Sequence, residues 1–193
     1  MNHIKDSNET VEKIAYHFEE IIKLLGEDTM REGLLKTPIR AAKALYNSTK
    51  GYRANAIEIA NQAIFEHAGS KIIIVKDIEF YSFCEHHILP FFGNISIGYI
   101  PNGKMIGLSK LARIVNVYAQ RLQVQERLTT EVCQAVAKSL DAKGVIVACN
   151  AQHLCMKMRG VEKQNSSTTT VDYIGDFESS PALRNDFFES LKF

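Results

Sequence analysis

The chain has 193 residues, is 46% hydrophobic and carries 23 basic against 22 acidic residues, for a net charge of +1. This length supports one hydrophobic core with a smaller appended unit, and the balanced charge gives no general basis for nucleic-acid or membrane partners, so neither is expected. Because the polar N-terminus lacks a signal-peptide core and no run of about 18 apolar residues occurs, the sequence predicts a cytoplasmic protein.

The first third of the chain predicts helices. Apolar residues recur at helical spacing from Val11 to Leu25, and Gly26 follows as a stop signal. Thr37 and Pro38 favour a second helix start, with the threonine hydroxyl as cap and proline in the first turn. Residues 51–70 are expected to be a connector with one short helix. We therefore predict a helical N-terminal unit over residues 1–70.

From Lys71 the pattern changes to strands and then returns to helices. A helix capped by Ser109 and a second helix from about Val124 to Leu140 are predicted by their apolar spacing. Ser180 and Pro181 open a last helix. Strands are predicted at 72–75, 77–84, 94–99, 145–151 and 154–159, with a strand-prone run at 167–171.

This order of strand-strand-helix-helix-strand-strand indicates an α+β domain over residues 71–193. An antiparallel sheet with helices on one face fits it. Such a sheet is only a few strands wide and leaves two open edges, which proteins often cover by pairing with another subunit. We therefore expect a homo-oligomer.

Two short clusters carry metal-binding chemistry. Cys84 and His87 have the spacing Cys-x-x-His, from which a thiolate and an imidazole can reach one tetrahedral zinc ion. His153 and Cys155 lie two apart in a segment interpreted as a strand, so they are expected to point the same way. Two cysteines and one histidine make three ligands, which leave a position for a water whose pKa zinc lowers.

The sequence thus predicts a Zn²⁺ site with Cys84, His87 and Cys155 as ligands. His86 and His153 are left over as candidate general acids or bases near neutral pH. A single buried histidine is more often structural than catalytic, and a disulfide between Cys84 and Cys155 is the competing interpretation. A reducing compartment argues against that disulfide. Cys133 and Cys149 are interpreted as core residues.

The chain resembles the GTP cyclohydrolase I family from about Thr37 to Phe188. Several motifs in the right order are far more specific than any one alone. The matching stretches are Ser82–His87, Gly98–Pro101, Gly107–Val115, Gln123–Leu128, His153–Val161 and Asn165–Thr170.

The resemblance implies a reaction, a fold and an assembly. The family converts GTP and water to 7,8-dihydroneopterin triphosphate and formate, which is the first step of tetrahydrofolate and pterin biosynthesis and so feeds one-carbon metabolism. Its tunnelling fold joins the sheets of several subunits into a ring-like barrel. Members are typically homodecamers of two face-to-face pentamers, with active sites shared between subunits.

The resemblance also implies roles for individual residues. Cys84, His87 and Cys155 match the zinc ligands, while His153 matches the histidine that protonates the purine at N7. His86 matches a second histidine near the ribose. Glu126, with Gln125 beside it, matches the residues that hold the guanine edge. One carboxylate can accept hydrogen bonds from both the N1–H and the N2 amino group of guanine.

The triphosphate requires cations in a chain with balanced charge. Lys110, Arg113 and Arg159 match the family's phosphate clamp, and Ser109, expected at a helix N-cap, matches its hydroxyl partner. Arg40 and Lys43 match further phosphate contacts from a neighbouring subunit, although solvated surface charge is a serious competing interpretation for both. No role for Glu85 follows from the sequence.

Three other interpretations stay open. The chain could be an inactive, nucleotide-binding, ring-forming paralogue, which the presence of His153 and both ligand cysteines disfavours. It could be another tunnelling-fold pterin or deazapurine enzyme, such as the nitrile reductase of queuosine synthesis, which uses a nucleophilic cysteine and a nicotinamide cofactor. A structural zinc finger is the least favoured interpretation, because it requires a fourth ligand and usually an excess of basic residues.

Overall fold

The computed structural model describes residues 7–69 and 71–192, which form two compact units, one ending at Lys50 and the other beginning at Gly51. The predicted division at residue 70 stays a prediction. Residues 1–6 of the polar N-terminus and Ser70, the end of the predicted connector, lie outside the described residues. Within residues 7–69 and 71–192, no helix is long and apolar enough to cross a membrane.

The first unit contains two helices. Helix α1 spans Ser7–Leu24, and Gly26 follows it at φ +89°, so the predicted stop is confirmed. Helix α2 spans Thr37–Ser48 with proline in its first turn, but the predicted threonine cap is wrong. Thr37 is already helical, and its hydroxyl donates back to the Gly33 carbonyl at 3.2 Å instead of capping the residues ahead.

The second unit is built on a five-stranded sheet. Its elements are a 3₁₀ turn at Lys50–Arg53, α3 Ala56–Asn61, β1 Ile64–Glu66, β2 Ile73–Cys84, β3 Pro90–Ile100, β4 Lys104–Ile106, α4 Leu108–Ala119, β5 Leu122–Gln123, α5 Gln125–Leu140, β6 Gly144–His153, α6 Leu154–Lys157, β7 Thr168–Gly175, α7 Asp176–Ser179 and α8 Pro181–Ser190. The strand order is β5-β2-β3-β6-β7, with β5 parallel to β2 and the other pairs antiparallel, while β1 and β4 form a separate antiparallel pair.

This architecture confirms the predicted α+β class and the tunnelling-fold order of two strands, two helices and two strands. The strand predicted at 154–159 is wrong, because the chain turns helical at Leu154 and the next strand, which pairs with β6 on the side away from β3, is β7. The predicted cap at Ser109 is also wrong. Gly107 is the N-cap of α4, so Ser109 is already the second helical residue. At α8 the prediction is confirmed, since the Ser180 hydroxyl accepts from the Leu183 N–H.

The main core lies between the sheet and helices α4 and α5. Leu111 from α4 and Val132 from α5 are fully buried there with sheet residues such as Ile95. Successive side chains of β6 point to opposite faces, so Val147 joins this core while its neighbour Ile146 packs in a second cluster with Phe177 and Phe187. This packing fixes the first turn of α5 against the sheet.

Candidate metal centre and active site

Three predicted ligands converge in the second unit. One ligand atom from each of Cys84, His87 and Cys155 lies within 4.8 Å of the others. Cys84 is buried, Cys155 is half-buried and His87 is exposed. The cluster therefore combines an enclosed thiol with an imidazole that solvent and ligands can reach.

A tight turn after β2 positions the first two ligands. Cys84 is the last residue of β2, and its carbonyl accepts from the Ile88 N–H at 2.8 Å and the His87 N–H at 3.3 Å. The chain can close this turn because Ile88 adopts a left-handed conformation at φ +54°. The turn places His87 Nδ1 3.7 Å from Cys84 Sγ.

The third ligand comes from the helical turn α6. The expectation that His153 and Cys155 share one face of a strand is wrong, because β6 ends at His153 and Cys155 lies within α6. The change from strand to helix sends the two side chains to different partners. Cys155 meets Cys84 and His87, whereas His153 contacts Gln125.

The donor set fits a zinc ion. Bond lengths of about 2.3 Å to sulfur and 2.1 Å to nitrogen in a tetrahedral site place the two ligand atoms about 3.6 Å apart. The observed separation of Cys84 Sγ and His87 Nδ1 is 3.7 Å. All four cysteines are free thiols, so the competing disulfide is not formed. Burial, followed by the neighbouring Cys84, raises the pKa of the Cys155 thiol, an effect that a bound cation would oppose.

His153 sits at the end of β6 against an aromatic ring. Its imidazole stacks on Phe91 with ring centroids 4.7 Å apart and planes within 2° of parallel. Its Nε2 lies 2.8 Å from Gln125 Oε1. Burial lowers the pKa of His153, while the nearby Glu126 carboxylate acts in the opposite direction.

Gln125 determines which nitrogen of His153 carries the proton. Its side chain is buried, and its amide nitrogen donates to the Cys149 carbonyl at 3.1 Å, the Thr168 carbonyl at 2.9 Å and Thr170 Oγ1 at 3.2 Å. Because carbonyl oxygens can only accept, the NH₂ group must face them and Oε1 must face His153. His153 therefore donates from Nε2 and keeps Nδ1 as its acceptor.

Sequence reasoning missed this contact between Gln125 and His153. The two residues are 28 apart in the chain, and no local spacing connects them. Glu126, the next residue of α5, is exposed beside them. His86 is exposed on the metal-binding turn, with Nδ1 3.9 Å from Cys84 Sγ.

The predicted phosphate-binding residues lie in three separate segments of the chain. Arg159 follows α6, and its Nη1 is 3.3 Å from His87 Nε2, beside the metal cluster. Lys110 is half-buried at the start of α4 and donates to Gln62 Oε1 at 2.8 Å, with Ser109 and Arg113 exposed on the same helix. Arg40 and Lys43 are exposed on α2, in the first unit.

Comparison with known proteins identifies close relatives over nearly the whole chain. The model of the GTP cyclohydrolase I family matches residues 14–192. A protein of Porphyromonas gingivalis named GTP cyclohydrolase 1 is 54% identical over 186 residues, covering 96% of each chain. A namesake from Bacteroides fragilis is 49% identical over 182 residues, covering 94% of this chain and 93% of the relative.

Further matches include a protein of another bacterium and a solved structure. GTP cyclohydrolase 1 2 of Pseudomonas aeruginosa is 50% identical over 179 residues, covering 93% of this chain and 99% of the relative. The crystal structure of an apo archaeosine synthase QueF-Like protein matches with a TM-score of 0.45 at 18% identity, covering 56% of this chain and 97% of that chain. The sequence relatives, and not this structural match, establish the kinship.

Proposed function

Because the chain belongs to the GTP cyclohydrolase I family, we propose that it converts GTP and water to 7,8-dihydroneopterin triphosphate and formate at a zinc centre. The observation that carries the proposal is the convergence of Cys84, His87 and Cys155 within 4.8 Å. Two thiols and one imidazole suit zinc, and a site with three protein ligands leaves a position for a reactant. When bound, zinc supplies Lewis-acid activation of water.

His153 is proposed to exchange a proton with the purine at N7. Its Nε2–H is held by Gln125 at 2.8 Å, so Nδ1 is the nitrogen that can take up or release a proton toward a ligand. Stacking on Phe91 fixes the plane of the imidazole ring. A proton at N7 makes C8 more electrophilic, which favours addition of water there and opening of the imidazole ring.

Glu126 is proposed to select guanine. It lies in the first turn of α5, one residue after Gln125, and is exposed to a ligand. Its carboxylate can accept from guanine N1–H and the N2 amino group together, a donor pair that adenine lacks. Gln125 is buried behind the same site, where its side chain holds His153. His86, exposed on the metal-binding turn, is proposed to serve proton transfers at the ribose after the ring has opened.

Arg159 is proposed to bind the triphosphate, and its contact with His87 supports this role. An imidazole that binds a metal through Nδ1 keeps its proton on Nε2, where it faces the N–H of Arg159. Two donors cannot bond each other, so metal binding leaves Arg159 available for an anionic acceptor. Ser109, Lys110 and Arg113 are proposed to share the phosphates from the first turns of α4.

The protein is proposed to act in the cytoplasm as a homo-oligomer, with ten subunits on the family's pattern. The outer strand β7 supports association, since Val171 and Tyr173 on it are 39% and 37% exposed. Arg40 and Lys43 would then reach a neighbouring subunit's phosphates. Native mass spectrometry of the zinc-loaded protein tests the assembly, and a monomeric species would contradict it.

Product analysis tests the activity. Zinc-loaded protein is incubated with GTP, and formate is measured together with fluorescent neopterin after oxidation and dephosphorylation. Both products are expected. A zinc-loaded sample that releases neither would rule out the enzyme and favour an inactive nucleotide-binding paralogue.

Two substitutions separate the proposed ligand from the proposed proton carrier. His153→Ala should retain zinc but fail to release formate, whereas Cys155→Ala should lose zinc. Metal content is measured by atomic emission on the same samples used for kinetics. A His153→Ala protein without zinc would contradict this division of roles.

A further inference from the structure

Glu85 stands between ligand Cys84 and the two histidines of the metal-binding turn. Its carboxylate forms an ion pair with the guanidinium of Arg127. Its backbone N–H donates to the Gln123 carbonyl at 3.0 Å, where β2 and β5 run side by side. Both the main chain and the side chain of Glu85 are therefore attached to the segment that leads into α5.

Arg127 is itself held in place from the other side. Its Nε donates to Gln123 Oε1 at 2.7 Å, and its Nη2 donates to the Leu122 carbonyl at 3.2 Å. Gln123 is buried, and its amide nitrogen donates to Glu131 Oε2 at 2.6 Å. A guanidinium presents its N–H groups in a rigid planar fork, so these bonds define where the carboxylate of Glu85 can lie.

The ion pair contributes little to overall stability. The side chains of Arg127 and Glu85 are 44% and 33% exposed, and pairs at that exposure are strongly screened by water. The guanidinium nevertheless holds the pKa of the Glu85 carboxyl below its usual value. The importance of the contact is therefore geometric, because it ties the turn that carries Cys84 and His87 to α5.

We propose that Glu85 and Arg127 are positioning residues that hold the metal-binding turn, residues 84–88, against the first turn of α5. The same turn of α5 carries Gln125, which holds His153. Two side chains of the first turn of α5, those of Gln125 and Arg127, thus set the relative placement of the metal ligands and the proton carrier. The catalytic consequence rests on the proposed function, whereas the effect on metal affinity does not.

A simple effect of charge makes a different prediction. A carboxylate next to a metal ligand attracts a cation, and a nearby guanidinium repels it. On charge alone, Glu85→Gln should weaken zinc binding and Arg127→Met should strengthen it. Positioning requires both partners, so both substitutions should weaken zinc binding.

Zinc affinity of the full-length protein separates the two explanations. It is measured by competition with a chromophoric chelator for wild type, Glu85→Gln, Arg127→Met and the double variant. Loss of a residue that orients a ligand typically costs about 10–100-fold in metal affinity, and we expect about tenfold for each single variant, since neither side chain bonds a ligand directly. The double variant should lose no more than either single one, because the pair acts as a unit.

The exposed pair Glu27 and Arg31 in the first unit is the matched control. Glu27→Gln and Arg31→Met should leave zinc affinity unchanged. Tighter or unchanged zinc binding by Arg127→Met, or losses that add in the double variant, would overturn the proposal. Circular dichroism of the metal-free proteins verifies that each variant folds.

Arg127→Lys keeps the test decisive if Arg127→Met does not fold. Lysine preserves the charge but lacks the planar fork that bonds Glu85 and Gln123 together. Positioning predicts a measurable loss of zinc affinity for Arg127→Lys, whereas charge alone predicts the wild-type value. At saturating zinc, kcat should fall several-fold with little change in KM for GTP.

The outcomes of the two proposals are distinguishable. A wild-type protein that binds zinc but releases no formate would remove the proposed function and leave the affinity comparison intact. Normal formate release, combined with unchanged zinc affinity in both single variants, would remove the positioning role alone.

Discussion

The first turns of α4 and α5 are both helix starts without a side-chain cap, yet they present opposite kinds of polar surface. On α4, Ser109 and Arg113 are exposed, and Lys110 donates to Gln62. On α5, Gln125 is 1% exposed and bonded to strands β6 and β7, while Arg127 is paired with Glu85.

This difference separates two tasks that a nucleotide site requires. A buried amide is costly unless its hydrogen bonds are made, so the environment that satisfies Gln125 also fixes its position. Exposed cations keep their hydration and mobility, and they can adapt to a flexible anion. On the proposed function, the α5 turn would hold the reacting groups and the α4 turn would attract phosphate.

The largest expected effect tests whether α5 stays closed on the sheet in solution. Burial raises the pKa of Cys133, on α5, and of Cys149, on β6, to about 12. At pH 8 their thiolate fraction should be about 10⁻⁴, against about 0.1 for an ordinary thiol, so iodoacetamide should modify them about a thousandfold more slowly. Peptide mass spectrometry measures the rate of modification at each cysteine. Rapid labelling of either residue in the native protein would show that α5 opens.

Removing the buried amide should break the α5 arrangement. Gln125→Leu deletes the acceptor for His153 and removes the amide donor that bonds carbonyls of β6 and β7, so kcat should fall about 100-fold and stability by about 1–3 kcal/mol. Zinc content should be unchanged. Gln134→Leu, at an exposed position of the same helix, is the control. Nitrogen-15 NMR of His153 should show loss of the single Nε2–H tautomer, and wild-type kcat would contradict the assigned contact.

On α4, removal of charge should affect binding and not chemistry. Lys110→Ala and Arg113→Ala should each raise KM for GTP about tenfold, equivalent to about 1.4 kcal/mol, with little change in kcat. Added salt should reduce the difference from wild type, more for the exposed Arg113 than for the half-buried Lys110, because salt screens exposed charges most strongly. Lys138→Ala, in the last turn of α5, provides the control. A fall in kcat at constant KM would place these residues in the chemical step.

The smallest expected effect concerns the two serines predicted as caps. Ser180 accepts from the Leu183 N–H, so Ser180→Ala should cost about 1 kcal/mol. Ser109 is exposed within α4 and has no capping bond, so Ser109→Ala should change stability by less than about 0.5 kcal/mol. Urea unfolding at one protein concentration compares them. An equal loss of stability in the two variants would show that Ser109 does cap its helix.

The ligand cluster illustrates how far the sequence reaches. Cys84 and His87 were predictable because they are close in the chain, and the second cluster, His153 with Cys155, supplied the third ligand. The sequence placed Cys155 on the wrong element, since the apolar run after His153 is equally compatible with a strand or one helical turn. The three predicted ligands do lie close together, but the element predicted for Cys155 was wrong.

Glu85 and Gln125 show the opposite case. Their partners, Arg127 and His153, are 42 and 28 residues away in the chain, and hydrogen bonds over such separations leave no periodic trace. By itself the sequence determined the element order, the family, and the residue types for a three-ligand metal site. Hydrophobic periodicity and local spacing are short-range properties of the chain. Only the tertiary structure decided which nitrogen of His153 carries the proton and which contacts hold the metal-binding turn. Both depend on side chains that come together only when α5 packs against the sheet.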